Sequence, residues 1–518
     1  METPSLLAWL RVFLAKMSGD IKDVRSRKRF VIMGIGFLGA GNPKTITSAI
    51  NFLGQTQQWS APYKLFSRSK WEPESPFKAV IEKAVSLYPV HEPVISAIDD
   101  TLVPKTGKKI PGTAYARDPL SPPFQVNLIM GQRYLETVIL CHGSDPDSNR
   151  GVPVAYRHAP PVKARKTTSP AEEQILKEEK KKHNLSVLAR QELFSLREAI
   201  DATPDGCNRV LIQSADGSFA NKCFLKDPPH DTVVVARVRK DTAFVESLPA
   251  EQRKGNRKYG PRLPPLKNIL TDDNVETLII EIDKRGRKLV VRYKCIKNVR
   301  WPGVTGDQPC HLIVLKPIPY RLTKAGRTFY RQPAYLVVTG ALEKVTIEQA
   351  IRAYLFRWEI EVSFRDQKTI LGLGKAQVWN KDSVAKVPAF MSACYAALLL
   401  ASIELYDDKR GEAFPPREGW RNDPVTRPSL RDLLNVMRRE LADEKNQPRT
   451  LRRRPRQVVQ SPGCVLQARS TAGRQAMWGV RLAGSCHAAG CKPATRLGDR
   501  RAWFPGMDRV DKGDKGDG

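Results

Sequence analysis

Val94-Ile95-Ser96-Ala97-Ile98-Asp99-Asp100 is a compact apolar run that stops on two carboxylates. Pro93 opens it, and a short apolar run bounded by a turn signal reads as a buried β-strand. Arg209-Val210-Leu211-Ile212-Gln213-Ser214-Ala215-Asp216 has the same build and also ends in an acid. Between them, Gln125-Val126-Asn127-Leu128-Ile129-Met130 and Tyr134-Leu135-Glu136-Thr137-Val138-Ile139-Leu140 read as a hairpin pair around Gly131-Gln132. A highly charged helix is expected from about Pro170 to Ala202, with Lys180-Lys181-Lys182 on its solvated face. Thr232-Val233-Val234-Val235-Ala236-Arg237-Val238 is a further strand. Strands that alternate with helices place the centre of the chain in the α/β class.

Upstream, residues 1 to about 90 read as helical. Thr45 to Leu53 has helical apolar spacing and ends at Gly54, and Phe77, Val80, Ile81, Ala84 and Val85 share one face of a helix from Pro76 to Leu87. Short helices joined by Gly-containing turns in a basic chain fit a DNA-binding helix-turn-helix module or a plain helical packing module. Downstream, residues 246–335 break the alternation. The basic loop Arg253 to Arg262 precedes three β-rich pieces at 277–282, 288–296 and 311–316, which look like an inserted antiparallel sheet. Tyr335 to Thr339 is one more strand, and a long helix is expected from about Thr346, its Thr cap supported by Glu348.

The charge balance points to a polyanionic partner. The 518 residues carry 86 Lys and Arg against 54 Asp and Glu, a net charge of +32. Nucleic acid or an anionic membrane surface would match such an excess. With 41% apolar residues the chain can build cores, which excludes wholesale disorder. The nine cysteines form no CxxC pair, and Cys486-His487 with Cys491 lacks a second pair of zinc ligands, so neither a disulfide framework nor a zinc ribbon is expected. The N-terminus reads as a short amphipathic helix in place of a signal peptide. Pro388 to Ile403 is apolar but shorter than the ~20 residues that span a bilayer, and reads as a buried core helix. A soluble, intracellular protein follows.

Two strands that end in Asp and one long helix can build a two-metal phosphoryl-transfer site if the helix supplies a third acid. Hard divalent cations prefer carboxylate oxygens, and a pair of ions can activate an attacking water and stabilise a leaving oxygen. Glu361 fits that position. At 100° per residue Tyr354, Arg357, Glu361 and Lys368 fall at about 0°, −60°, −20° and −40°, on one narrow stripe. A carboxylate flanked by cations suits a metal-bound phosphate, although a solvated, salt-bridged helix face would show the same spacing.

Tyr354-x2-Arg357-x3-Glu361-x6-Lys368 resembles the Y-R-E-K signature of bacterial insertion-sequence transposases with a DDE catalytic triad. Asp216-Gly217-Ser218-Phe219 is similar to the family's second-aspartate motif, and Asp99-Asp100-Thr101 with Pro104 to Lys109 to its first-aspartate region. The 145 positions from Asp216 to Glu361 resemble the span of a β-rich insertion domain, and the resemblance covers residues 40 to 405. It implies a ribonuclease H-like mixed sheet with flanking helices, interrupted by a β-rich insertion and preceded by a helical N-terminal domain.

The domains expected are a helical DNA-binding domain at 1–90, the first part of the catalytic domain at 91–245, the insertion at 246–335, the closing strand and Glu-bearing helix with C-terminal helices at 336–447, and a basic, disordered tail at 448–518. From 449 onward the chain has fifteen Lys and Arg against five acids, about +10 of the total charge.

The resemblance further implies that Asp99, Asp216 and Glu361 are catalytic and hold two Mg²⁺ ions, with Mn²⁺ as a substitute. Adjacent strand residues face opposite ways, so one of Asp99 and Asp100 is the ligand. The family pattern favours Asp99 and leaves Asp100 as the alternative. Asp241 is the rival of Asp216. Arg357 and Lys368 would contact phosphates, and Tyr354 would touch DNA. Arg237, Arg239, Lys240 and the 253–262 loop would line its path. Trp301 is either an ordinary rim tryptophan or a platform for an unpaired base. The expected activity is cleavage at the element's terminal inverted repeats and transfer of the 3′-OH into target DNA, by a homodimer on paired double-stranded ends, in the cytoplasm at the nucleoid. The alternatives are a catalytically inactive DNA-binding transposition repressor and a ribonuclease H-like nuclease without strand transfer.

Overall fold

The computed structural model describes residues 5–446 apart from 42–43, 56, 58, 108, 119–120, 122–123, 126, 163–165, 167–168, 254–257, 284–287, 322–325 and 415–426. The expected tail at 448–518 and its Cys486-His487-Cys491 group lie outside the described residues. The chain opens with helices α1 (Leu6–Met17), α2 (Val24–Gly39), α3 (Ile46–Phe52), α4 (Ser60–Ser67) and α5 (Ser75–Ser86). Strands β1 (Val94–Pro104), β2 (Ala114–Arg117), β3 (Leu128–Cys141) and β4 (Arg150–His158) follow, then α6 (Pro170–Lys182) and α7 (Leu185–Asp201). Next come β5 (Leu211–Ala215), α8 (Lys222–Leu225), β6 (Thr232–Val238), α9 (Leu266–Thr271), β7 (Leu278–Asp283), β8 (Lys288–Val299), β9 (Cys310–Leu315), β10 (Pro319–Arg321), β11 (Thr328–Tyr330) and β12 (Ala334–Gly340). Helices α10 (Ile347–Phe356), α11 (Trp358–Arg365), α12 (Lys381–Tyr406) and α13 (Leu430–Asn446) close the described chain.

One sheet of ten strands organises these elements, in the order β2-β3-β1-β5-β6-β12-β9-β8-β7, with β4 also paired to β3. β4, β3 and β1 are antiparallel neighbours, whereas β5 and β6 run parallel to β1. A large mixed sheet with flanking helices and this order is consistent with a ribonuclease H-like fold. The two-residue period of the strands separates two cores. Ala97, Val138, Ile212, Val233 and Val235 pack under α10 and α11, while Ile98, Leu135, Ile139, Leu211 and Val234 face α12 and the N-terminal helices.

Several elements differ from their sequence expectations. The segment at 246–335 is β-rich and antiparallel, but β7, β8 and β9 extend the main sheet through β12, and among its described residues only the β10-β11 hairpin is separate. The reason is that β9 is buried along its whole length and pairs on both edges. The helix expected over 170–202 is two helices, because Asn184 accepts a hydrogen bond from the Ser186 N–H and starts α7. The helix after Thr346 carries a capping box whose partner is Gln349 instead of Glu348. It breaks at Arg357, where the Ile360 N–H bonds the Arg357 carbonyl three residues back, and it ends in a π-helical turn, Asp366–Ile370.

Helix α12 is long and apolar enough to cross a membrane, yet 94% of its apolar window is buried inside the molecule. Its aromatic neighbours come from the N-terminal helices: Phe390 meets Phe30 at 4.7 Å, Phe66 at 5.3 Å and Phe37 at 5.6 Å between ring centroids. Residues 5–90 therefore share one core with α12 and α13 and do not pack as a body of their own.

Candidate active site

Asp99 sits near the middle of β1, and the pleat turns it to the same face as Ala97, the face covered by α10 and α11. Asp100 has the parity of Ile98 and pairs instead with Arg133 at 3.3 Å. Asp216 follows the parallel neighbour β5 and precedes a 3₁₀ turn, Gly217–Phe219, with its side chain 43% exposed. Glu361 projects from α11. Close packing brings that helix down: a Cβ on Gly151 of β4 would lie 2.9 Å from the Glu359 carbonyl.

These acids act on one another. Burial pushes Asp99 up to about 8, against Arg357, and Glu361, Asp216 and Asp100 add to the rise. Burial also raises Glu361 and Asp100, and Asp216 raises both further. Arg357 stands among them. Its guanidinium donates to Asp99 Oδ2 at 3.0 Å and lies 3.9 Å from Asp216 Oδ1. Burial works against its charge, but Asp99 and Asp216 hold its pKa above the ordinary value. Lys368 is lowered by burial, opposed by Glu136, Glu361 and Asp100, and its ammonium lies 5.7 Å from the Phe364 ring centroid. The hydroxyl of Tyr354 is buried without a hydrogen-bond partner, close enough to Arg357 and Arg237 to feel both charges. Despite the broken helix, all four residues of the expected stripe reach one place.

The residue-matched family model covers residues 17–301 and is described as a DDE superfamily endonuclease. The chain belongs to the DDE superfamily endonucleases. No curated protein matches the chain. Membership implies nuclease activity on DNA and, as is general for DDE endonucleases, a divalent metal. The matched span includes Asp99 and Asp216 and stops before Glu361.

In this endonuclease, no three His, Cys, Asp or Glu side chains among the described residues already stand as a metal-binding group. The donor chemistry nevertheless fits a hard divalent cation: three carboxylates converge, Glu361 and Asp216 adding to the rise that burial imposes on Asp99, with Arg357 between Asp99 and Asp216.

The more distant candidates of the endonuclease cluster elsewhere. Asp241 pairs with Arg239 at 3.2 Å on the surface, and the carboxylates that bear on Asp99 are Glu361, Asp216 and Asp100. Arg239, Asp241, Arg262 and Trp301 line one cavity, with Trp301 stacked at an angle on Phe244, 5.4 Å between centroids. Arg237 lies on β6, paired in register with Leu336, and Lys240 follows the end of that strand. Of the basic loop, 254–257 lie outside the described residues.

Sequence reasoning passed over Glu136. It stands opposite Asp99 in the β1–β3 register, wholly buried, and accepts hydrogen bonds from Ser363 and Gln367. An acid at an inward position of an otherwise apolar strand was the available signal.

Proposed function

We propose that the chain is a DNA transposase of an insertion sequence, acting on double-stranded DNA in the cytoplasm, at the nucleoid. The convergence of Asp99, Asp216 and Glu361 around Arg357 carries this reading. Asp99, Asp216 and Glu361 hold two Mg²⁺ ions. Bound there, Mg²⁺ supplies activation of the attacking oxygen and stabilisation of the leaving one. The parity of β1 favours Asp99 over Asp100 as ligand, since Asp99 shares the face of α11.

Arg357 and Lys368 bind the scissile and flanking phosphates. Both are pre-oriented by burial against carboxylates, so little reorganisation is required when a phosphate arrives. Tyr354 offers its unpartnered hydroxyl to the same backbone. Arg237, Arg239, Lys240 and Trp301 extend the DNA path along the sheet end, with Trp301 stacking on an unpaired base. Water attacks the phosphodiester at the element end and breaks its P–O3′ bond. The freed 3′-OH then attacks a target phosphodiester, forming a new P–O3′ bond as the target's own 3′-oxygen leaves and takes up the proton. A homodimer holds the paired ends.

The test is cleavage and joining of a duplex that carries the element's terminal repeats, with Mg²⁺ or Mn²⁺. Asp99→Ala, Asp216→Ala and Glu361→Ala are each expected to abolish both steps while end binding persists, and Asp100→Ala to retain them. Full cleavage by Glu361→Ala would remove the triad. Binding without cleavage by the wild type would leave a DNA-binding repressor, and cleavage without joining a simple nuclease.

A further inference from the structure

Glu136 is flanked by Leu135, Val138 and Ile139 and is fully removed from solvent. A buried carboxyl is costly unless its oxygens are bonded. Its bonds all run to one element: Ser363 Oγ donates to Oε1 at 2.6 Å and Gln367 Nε2 to Oε2 at 2.7 Å, while Gln367 Nε2 also donates to Ser363 Oγ at 2.8 Å. Ser363 and Gln367 are each 1% exposed. Gln367 belongs to the π-helical turn that carries Lys368, and π turns concentrate at functional sites. Ser363 is two residues beyond Glu361, and helix residues two apart do not face each other. The helix is thus fastened to β3 on one side and presents Glu361 on another. On β3, Glu136 is also the residue opposite Asp99.

One side chain therefore joins the strand beside the first acid to the helix that carries the third. An apolar residue would pack here without desolvation cost, whereas a hydrogen-bonded carboxyl fixes distance and rotation. The geometry points to Glu136, with Ser363 and Gln367, as the positioning residue that sets Glu361 and Lys368 against Asp99. This rests on the carboxylate site proposed above. Glu136 itself contacts neither substrate nor metal.

The test uses the full chain and measures Mn²⁺ binding without DNA by titration calorimetry, alongside end binding and thermal melting. Glu136→Ala is expected to weaken Mn²⁺ binding about tenfold and end binding less. Glu136→Gln restores most of the affinity, its carbonyl accepting from Gln367 and its amide donating to Ser363. The pair Ser363→Ala with Gln367→Met gives a similar loss from the helix side, and combining it with Glu136→Ala adds little. A merely structural role lowers the melting temperature of Glu136→Ala and leaves its Mn²⁺ affinity at the wild-type value. Wild-type Mn²⁺ affinity in Glu136→Ala, with Glu361→Ala still impaired, overturns this inference alone. Where Glu136→Ala does not fold, unchanged affinity in the helix-side pair overturns it. Absence of Mn²⁺ binding in the wild type overturns it together with the carboxylate site.

Discussion

Arg357 places its guanidinium close to both strand acids, 3.0 Å from Asp99 and 3.9 Å from Asp216, and only 7% of it is exposed. Removing one member of a buried ion pair strands the other. Asp99, already raised to about 8, can neutralise in response, so Arg357→Ala is expected to destabilise the metal-free protein by about 1–3 kcal/mol, and added Mn²⁺ to raise the melting temperature more in the variant than in the wild type. Equal melting of the two metal-free proteins would mean that the pair contributes no stability. His158 supplies a pH effect outside the carboxylate cluster. Burial, with the charge of Lys105, pulls it down to about 4, and its Nε2 has no partner. Between the unfolded value of about 6.5 and the folded value of about 4, the unfolded chain takes up a proton that the folded one refuses. Stability should be complete above the upper limit and fall with pH through that window. Melting curves of wild type and His158→Phe at several acid pH values check this: the variant should lose part of the slope.

At the scale of elements, the two ends of the described chain are tied by Glu440 and by the Arg11–Glu444 ion pair. Glu440 of α13 accepts from Ser5 Oγ at 2.7 Å, the Leu6 N–H at 3.1 Å and the Leu7 N–H at 2.6 Å, so it caps α1 from outside. Glu440→Ala leaves those first-turn donors without their carboxylate and should cost about 1–2 kcal/mol in denaturant melts, with cleavage unaffected in the folded protein. Such a cross-chain cap is illegible in sequence, because nothing in Glu440 names a partner 435 positions away. The same limit explains the other differences. Strand β1 does not end at its acids as expected but pairs on to Pro104. The acids that follow the apolar runs of β1 and β5 were nevertheless legible from those runs, and the spacing from Tyr354 to Lys368 from its motif. That β9 would pair with β12 instead of forming its own sheet was not, since burial on both faces does not say which neighbour provides it. Glu136 was hidden for a related reason: its bonds go to residues 227 and 231 positions away.

Across the whole molecule, the N-terminal helices and α12 form one continuous core, with Gly34 and Gly36 of α2 so tightly packed that a Cβ would meet Leu14 at 2.8 Å and Leu53 at 2.7 Å. A chain beginning at residue 91 would expose the Phe390 face of α12 to water. Full exposure of each large apolar side chain costs about 1.5–3 kcal/mol, so this shortened chain should be insoluble or molten by circular dichroism. A folded, cleaving fragment would refute the shared core. Of the net charge of +32, about +22 belongs to residues before 449, and DNA phosphates would match it.

The late position of α12 has a consequence for the newborn protein. Domains usually fold as units while they are being made, from the front of the chain backwards. Here the first five helices must wait on the ribosome for a partner that begins at Lys381, and Glu361 emerges only shortly before it. A polypeptide whose translation halts early therefore lacks a finished core and, on the proposed site, its third acid, and is expected to show no nuclease activity.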